Sequence, residues 1–380
     1  MPDSESSMIH TPAYENRHAR LTTALQNVGI DALVLNPGPS LTYLTGLHIG
    51  LMERPTAVVF TPGQPPAIIL PELEIAKLTG LPYPVQVFTF NDNPATWPDV
   101  YRRAVQATRI EGSCVGVEPT RFRVLELRFL EAAAPHAKIV SAESAVASLR
   151  MCKDATEISA MRNAVDIAQH ALQATLSHIR IGMAEQDIAA ELILQLLRAG
   201  THADVPFSPI VSGGPNSANP HASPSTRRIS PGDLLVIDWG ASYEGYCSDL
   251  TRTFAIGEIV PELKKIYETV KQANTAGRMI GRPGIPAGEV DRAARAVIES
   301  MGYGKFFIHR TGHGIGMEGH EEPYMHAGNP LSLAPGMTFT VEPGIYLPEY
   351  NGVRIEDDVV ITADGADSLS DFSRDLITIG

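Results

Sequence analysis

The first part of the chain has the hydrophobic pattern of an α/β domain. From residue 16 to about residue 150, helical stretches alternate with short apolar runs. The run at 32–36 follows a helical stretch and precedes the turn residues 37–39, which is typical of a buried strand. Further strand-like runs lie at 56–60, 67–70 and 85–88. The alternation predicts an α/β domain over residues 1–150.

A long amphipathic helix opens the second part of the chain, which we assign to residues 151–380. Asp154 is a suitable N-cap for this helix. One buried face is predicted from apolar residues at helical spacing, namely Ile158, Met161, Val165, Leu172, Leu176 and Ile179. Gly182 then breaks the pattern. A second helix over 184–199 ends at Gly200, where a left-handed cap is expected.

The order of elements in this second part occurs twice. Loops and strands follow the first helix pair, including the apolar run at 234–237. Two more helices, near 261–279 and 288–301, then precede strands at 338–341 and 359–361. Two helix pairs, each followed by strands, indicate an internally duplicated α+β domain.

Composition narrows the class of protein. A chain of 380 residues is longer than one hydrophobic core usually supports, which agrees with two domains. A net charge of −13 without a basic run argues against nucleic-acid binding. No stretch approaches the ~18 consecutive apolar residues of a membrane helix, and the polar, acidic residues 1–7 are unlike a secretory signal. Cys114, Cys152 and Cys247 are widely spaced, so we expect neither disulfides nor a thiolate zinc site, and a cytoplasmic protein.

Two aspartates stand where a buried charge needs a partner. Asp238 directly follows the apolar run at 234–237, so its carboxylate ends a buried strand. A turn cap before Gly240 is the alternative interpretation. Asp249 lies shortly after, and a hairpin would return it close to Asp238. Alone, Asp249 could pair with Arg252, but together the two aspartates indicate a shared cation.

A histidine and a glutamate further along the chain are also candidate ligands. His313 is surrounded by the three glycines of segment 311–316, which would let the backbone approach a bound group closely. A surface histidine is the alternative. Glu342 follows the apolar strand that ends at residue 341, so it repeats the strand-end carboxylate of Asp238.

A last carboxylate lies close to the C-terminus. Arg354 and Glu356 share one face of a strand, while Ile355 points to the other face. An exposed acidic turn would account for Asp357 and Asp358. It would not account for Glu356, which leads into an apolar strand.

In this order and with these surroundings, the five residues resemble the metal ligands of metallopeptidase family M24, which includes methionine aminopeptidase, Xaa-Pro aminopeptidase and prolidase. The set is Asp238, Asp249, His313, Glu342 and Glu356. The resemblance extends from Lys153 to the C-terminus, and residues 21–46 are similar to the creatinase/prolidase N-terminal domain. It implies an α/β N-terminal domain followed by an α+β catalytic domain with the pita-bread fold.

The resemblance implies a dinuclear metal site. Asp238 would chelate one cation, Asp249 and Glu356 would bridge both, and His313 and Glu342 would complete the second. Four carboxylates and one imidazole suit Mn²⁺ and also admit Co²⁺, Zn²⁺ or Fe²⁺.

The resemblance also implies catalytic roles. Glu342 would act as the general base, while His221 and His320 would flank the scissile bond. Arg354 resembles the substrate-site arginine of the family. A free N-terminal amine would meet the acidic cluster, so we expect an exopeptidase acting on small proline-containing peptides.

Four functions stay open within this family. The domain before the catalytic one disfavours methionine aminopeptidase, and the complete ligand set disfavours metal-free creatinases. Some prolidases carry an arginine shortly after the histidine matching His320, where this chain has 321–325, Glu-Glu-Pro-Tyr-Met. We therefore favour an Xaa-Pro aminopeptidase over an Xaa-Pro dipeptidase, with a non-catalytic peptide-binding module or a hydrolase of other small substrates as further alternatives. By analogy we expect a homodimer.

Overall fold

The computed structural model describes residues 11–203 and 205–380 and divides the chain into two compact units, Met1–Arg150 and Met151–Gly380. Residues 1–10, which the sequence analysis assigned to the first domain, lie outside the described part. Within the described residues, no helix combines the length and the apolar character needed to cross a membrane.

The first unit is an α/β layer structure, as the alternating pattern predicted. Its helices are α1 (Thr11–Asn27), α2 (Pro39–Thr45), α3 (Trp97–Thr108), α4 (Val124–Ala133) and α5 (Glu143–Arg150). Its strands are β1 (Ala32–Leu35), β2 (Ala57–Phe60), β3 (Ala67–Pro71), β4 (Gln86–Phe90), β5 (Cys114–Val117) and β6 (Lys138–Ser141). They form one mixed sheet in the order β4-β3-β2-β1-β5-β6. The four strand-like runs of the sequence correspond to β1 to β4.

The second unit contains the remaining elements. Its helices are α6 (Ala155–Leu176), α7 (Glu185–Ala199), α8 (Pro261–Ile280) and α9 (Gly288–Ser300). Its strands before α8 are β7 (Ile210–Gly213), β8 (Leu234–Trp239), β9 (Ser242–Tyr243), β10 (Tyr246–Cys247) and β11 (Leu250–Ile256). Those after α9 are β12 (Gly312–Gly314), β13 (Glu321–Met325), β14 (Thr338–Val341), β15 (Gly344–Leu347), β16 (Asn351–Arg354), β17 (Asp357–Ile361), β18 (Ala366–Ser368) and β19 (Thr378–Ile379).

Helix α6 shows how local sequence sets these elements. The Asp154 side chain accepts from the backbone of Thr156 and Glu157, and Glu157 reaches back to the Asp154 N–H, which completes a capping box. The predicted face is buried at Met161, Val165 and Leu172, whereas Ile158 and Leu176 are only partly buried. Helix α7 ends at Gly200 in the left-handed conformation, as expected.

Each helix pair is followed by strands that pair mostly antiparallel, so the order predicted to occur twice is present. The first pair, α6 and α7, shares a core with the sheet β19-β11-β8-β7. The second pair, α8 and α9, packs near the sheet β13-β12-β14-β17-β18. A backbone bridge between Thr251 and Glu356 joins a strand of the first sheet to the segment leading into β17. The candidate residues therefore approach one another where the two halves meet.

The packing of α7 against the core leads to a prediction about the stability of the protein. Leu192 is fully buried, whereas Leu194 on the same helix is 41% exposed. We expect Leu192→Ala to lower the free energy of unfolding by about 2–5 kcal/mol, because it leaves a cavity in the core. Leu194→Ala should change it by only about 0.5 kcal/mol. Urea unfolding followed by tryptophan fluorescence measures both, and equal losses would contradict the assigned packing.

Candidate functional site

Strands β8 and β11 bring the two aspartates together. The strands pair antiparallel, with Asp238 opposite Thr251 and Trp239 opposite Leu250. Asp249 immediately precedes β11, so it returns next to Asp238, as the hairpin prediction requires. The short strands β9 and β10 lie in the connection. Because β8 continues through Trp239, Asp238 lies inside a strand rather than capping a turn.

Glu356 reaches the same place through Thr251. Its backbone N–H donates to the Thr251 carbonyl at 3.1 Å, and the Thr251 hydroxyl donates to the Glu356 carboxylate at 2.6 Å. One carboxylate oxygen from each of Asp238, Asp249 and Glu356 lies within 4.8 Å of the others. Three buried carboxylates from distant parts of the sequence thus face one small volume.

His313 and Glu342 complete the cluster from the second sheet. The His313 Nε2 lies 3.3 Å from a Glu342 oxygen and 3.8 Å from an Asp249 oxygen. Its Nδ1 is 3.1 Å from the Gly314 carbonyl. Because a carbonyl only accepts, Nδ1 carries the proton and Nε2 presents its lone pair to the carboxylates, as a metal-binding histidine does. Burial and His320 lower the pKa of His313 to about 3, so the ring is neutral.

The glycines around His313 pack closely against neighbouring parts of the chain. A Cβ on Gly312 would lie 1.9 Å from the Thr340 carbonyl oxygen, and one on Gly314 would lie 2.3 Å from the backbone of Glu322. A Cβ on Gly316 would press on the side chains of Lys153 and Glu321. The glycines are therefore required by packing against neighbouring backbone and side chains. That they also allow close approach of a bound group stays a prediction.

The electrostatics of the cluster favour a bound cation. Burial, and then the neighbouring carboxylates, raise the pKa of Asp249 and of Glu356 well above the usual range. Burial raises the pKa of Glu342 to about 8. The Asp238 Oδ1 atom is buried and has no hydrogen-bond partner among the described residues. Carboxylates that repel each other, an orphaned oxygen and a neutral imidazole are a donor set that fits divalent metal ions.

Arg354 is the cation that contacts this cluster directly. It is 3% exposed, and its NH2 donates to Asp238 at 2.5 Å. The remaining donors reach the Thr251 hydroxyl, the Pro220 carbonyl and the Tyr346 hydroxyl. The guanidinium is thus committed to fixed protein partners on several sides.

His320 and His221 lie on the solvent-exposed side of the cluster. The His320 ring is exposed and stacks on the His313 ring, with the centroids 3.6 Å apart. Arg310 donates to its Nδ1 at 3.3 Å, so the proton of neutral His320 lies on Nε2. Burial, and then Arg310, lower the pKa of His320. His221 is exposed, and it also lowers the pKa of His320, which places the two imidazoles in one electrostatic environment.

Asp357 and Asp358 do not form the exposed acidic turn that the sequence analysis allowed. Both are fully buried. Burial would raise the pKa of Asp357, but Arg252 and Arg374 hold it well below the usual range. Asp358 accepts the Asp249 N–H at 3.0 Å, so it supports a cluster residue. Arg252 pairs with Asp357, not with Asp249 as the alternative interpretation held.

Sequence reasoning missed Glu185, a fully buried carboxylate at the start of α7. Among the described residues, its donors all come from one segment: the Gly213 N–H at 2.8 Å, the Asn216 amide at 3.0 Å, and the Ser225 N–H and hydroxyl at 3.1 and 2.6 Å. That segment contains His221. An acidic residue in the first turn of a helix is common, so nothing in the sequence marked this one.

Glu185→Gln should loosen the segment that carries His221. All of these partners donate, so the amide nitrogen of glutamine leaves at least one buried donor unpaired, at a cost of about 1–3 kcal/mol. We expect the amides of 213–225 to exchange hydrogen roughly tenfold faster or more, measured by mass spectrometry. Glu191→Gln is the matched control, because Glu191 on the same helix accepts from Gln195 and is partly exposed. Unchanged exchange in Glu185→Gln would contradict the role assigned to this carboxylate.

Two family models match the chain. The model "Metallopeptidase family M24" matches residues 159–363, and the model "Creatinase/Prolidase N-terminal domain" matches residues 17–152. The five clustered residues lie inside the first match. M24 metallopeptidases use divalent metal ions, in agreement with the donor set.

Full-length relatives agree with these models. The chain is 33% identical to an Xaa-Pro dipeptidase of Lactobacillus delbrueckii subsp. lactis, over 94% of this chain and 97% of the relative. It superposes on a recombinant prolidase from Thermococcus sibiricus with a TM-score of 0.91 and 35% identity, covering 96% of this chain and 99% of the other. For dipeptidase PepE from Mycobacterium ulcerans the TM-score is 0.89, with 36% identity and coverage of 97% and 98%.

These similarities confirm the expected α/β domain followed by a pita-bread domain, and they confirm a hydrolase. The order of the five residues in the sequence led to the same assignment. The chain belongs to metallopeptidase family M24.

Proposed function

We propose that the protein is a dinuclear-metal Xaa-Pro dipeptidase, a prolidase. The observation that carries the proposal is that the buried Asp238, Asp249, Glu356 and His313 and the partly exposed Glu342 belong to overlapping groups whose ligand atoms lie within 4.8 Å of one another. Relatives and solved neighbours named as dipeptidases or prolidases cover nearly the whole chain. They support the dipeptidase alternative better than the Xaa-Pro aminopeptidase that we favoured from the sequence.

In this proposal the metal ligands are those of the resemblance. Asp238, Asp249, His313, Glu342 and Glu356 would hold the two cations. Mn²⁺ is the proposed metal, because hard oxygen donors predominate and no thiolate takes part, although Co²⁺, Zn²⁺ and Fe²⁺ share this chemistry. When bound, the cations supply Lewis-acid polarisation of the scissile carbonyl and of a water molecule.

Glu342 and His320 then move and hold protons. Glu342 retains 17% side-chain exposure and lies 3.3 Å from the His313 Nε2, so its carboxylate is placed to take a proton from a water molecule at the cluster. His320 faces the open side as a neutral ring with its N–H on Nε2, so it donates to the developing oxyanion. His221 lies in the segment held by Glu185, from which it assists the departing proline nitrogen.

Arg354 and Thr251 keep the carboxylates in place. Arg354 holds Asp238 and also donates to the Pro220 carbonyl, one residue before His221. Thr251 holds Glu356 through its hydroxyl. We therefore propose that Arg354 acts by positioning the cluster and the His221 segment. The homodimer and the cytoplasmic location remain predictions.

The substrate class can be tested with peptides of defined length. Purified protein with Mn²⁺ should hydrolyse Ala-Pro to alanine and proline, and it should leave Ala-Pro-Ala intact. Mass spectrometry of the products measures both reactions. Chelation with EDTA should abolish hydrolysis, and added Mn²⁺ should restore it. The reason is that the carboxylates of the cluster repel one another when no cations are bound.

Cleavage of the tripeptide with the dipeptide left intact would replace the proposal by an Xaa-Pro aminopeptidase. Absence of hydrolysis for both, with metal bound, would favour the non-catalytic peptide-binding module.

Removal of one bridging carboxylate tests the metal centre. Asp249→Asn should lose bound metal and detectable peptide hydrolysis, because a neutral amide is a poor bridging ligand. Metal content is measured by mass spectrometry of the dialysed protein. The control is Asp166→Asn, which changes an exposed aspartate on α6 and should preserve both properties. If Asp249→Asn retains its metal and its activity, Asp249 is not a ligand.

A further inference from the structure

A buried ion pair involves the residue that follows His320. The Lys153 Nζ lies 2.6 Å from the Glu321 Oε1, and the two side chains are only 1% and 8% exposed. The same Nζ donates to the Met151 carbonyl at 3.4 Å. The pair thus connects the segment just before α6 to the residue next to His320.

The net stability that such a pair supplies is small. Two charged groups lose their hydration when they are buried, and their mutual attraction offsets this loss only in part. An apolar pair of similar volume is often at least as stable, whereas one partner left alone is strongly destabilising. The effect of the pair is therefore geometric, because only one arrangement of the two segments brings the ammonium and the carboxylate together.

The Lys153 end of the pair is anchored beside the segment of His313. The Lys153 N–H donates to the Gly336 carbonyl at 2.8 Å. Gly316 packs on the pair, since a Cβ there would lie 2.7 Å from the Lys153 Cε and 2.8 Å from the Glu321 Oε1. The lysine side chain therefore contacts both the segment that follows His313 and the residue that follows His320.

The Glu321 end of the pair fixes the backbone next to His320. Glu321 is the first residue of β13 and lies opposite Gly314 of β12, the neighbour of His313. The His320 ring stacks on the His313 ring with the centroids 3.6 Å apart, but it is exposed to solvent on its other side. The position of the ring therefore depends on the backbone on either side of it.

We propose that Lys153, through its ion pair with Glu321, is a positioning residue that keeps the His320 ring stacked on His313. The inference rests on the proposed function, in which His320 donates to the developing oxyanion. A donor displaced by about 1 Å stabilises that charge much less, so the pair affects turnover more than substrate binding.

Lys153→Met removes the charge and keeps a side chain of similar length. We expect kcat for Ala-Pro to fall by about tenfold to a hundredfold, because the oxyanion donor is displaced, whereas KM should change by less than about threefold. The metal content of the dialysed protein should not change, because the five proposed ligands are untouched.

A second measurement needs neither metal nor substrate. In EDTA-treated protein with isotopically labelled histidines, the nuclear magnetic resonance signal of the His320 ring carries an upfield shift, because the His313 ring is stacked on it. His320→Ala identifies this signal by its loss. Lys153→Met should lose most of the upfield shift while the protein remains folded, which a contribution to stability alone would not cause.

Three further variants complete the experiment. Lys153→Glu combined with Glu321→Lys restores the pair with its charges exchanged, so it should recover part of kcat and of the ring shift. Glu321→Gln keeps an oxygen acceptor and should change both in the same direction by less, which tests the contact even if Lys153→Met does not fold. Lys271→Met is the control, because this lysine pairs with Glu268 and Asp375, both at 3.1 Å, and it should change neither.

Folded Lys153→Met that keeps both kcat and the ring shift overturns the inference. In an active enzyme, a change in only one of the two also overturns it, because the pair would then act other than through the position of His320. If the wild type hydrolyses neither Ala-Pro nor Ala-Pro-Ala, the proposed function has failed. The ring shift, measured without substrate, then still decides whether Lys153 positions His320, so the two failures are distinguishable.

Discussion

Mutual repulsion among four carboxylates, of which three are buried and the fourth, Glu342, is partly exposed, is the constraint on which the second unit depends. Asp238, Asp249, Glu342 and Glu356 face one volume, and burial raises the pKa of three of them. Burying like charges side by side costs several kcal/mol unless cations offset them. Arg354 supplies one positive charge, and the donor set is suited to divalent metal ions for the remainder. The fold must therefore hold these carboxylates in place against their mutual repulsion.

Hydrogen bonds to the backbone and side chains behind the cluster hold these groups in place. Thr251 holds Glu356, Asp358 accepts the Asp249 N–H, and Gly314 fixes the His313 tautomer. Behind them, Asp357 is neutralised by Arg252 and Arg374. These contacts hold the carboxylates and the imidazole in fixed positions around the shared volume.

The solvent-exposed side of the site is formed by residues that are less buried than the cluster. His320, His221 and Arg310 are exposed or half-buried, so they can meet a peptide without first breaking protein contacts. Glu185 holds the segment of His221, and the buried Lys153–Glu321 pair, 2.6 Å apart, anchors the residue next to His320. Arg310 thus places a positive charge beside the exposed His320.

Much of the fold could be predicted because its signals are local. Apolar spacing located α6, α7 and the strands of the first unit, and Asp154 marked a helix start through its own side chain. The order of elements also indicated the two halves of the second unit. Five residues in order were enough to predict the family, which the comparisons confirm.

What tertiary structure decided is where partners distant in sequence meet. Neither the burial of Asp357 and Asp358 nor the packing role of the glycines around His313 could be predicted, because each depends on a neighbouring strand from another part of the chain. Glu185 and Arg310 were missed for the same reason: a carboxylate or guanidinium acquires its role from the groups that surround it in space. Sequence by itself determined the elements and the identity of the cluster, since periodicity and residue type are local properties. Only the folded chain decided which charges are neutralised and which remain available to a substrate, since electrostatic interactions depend on distance in space.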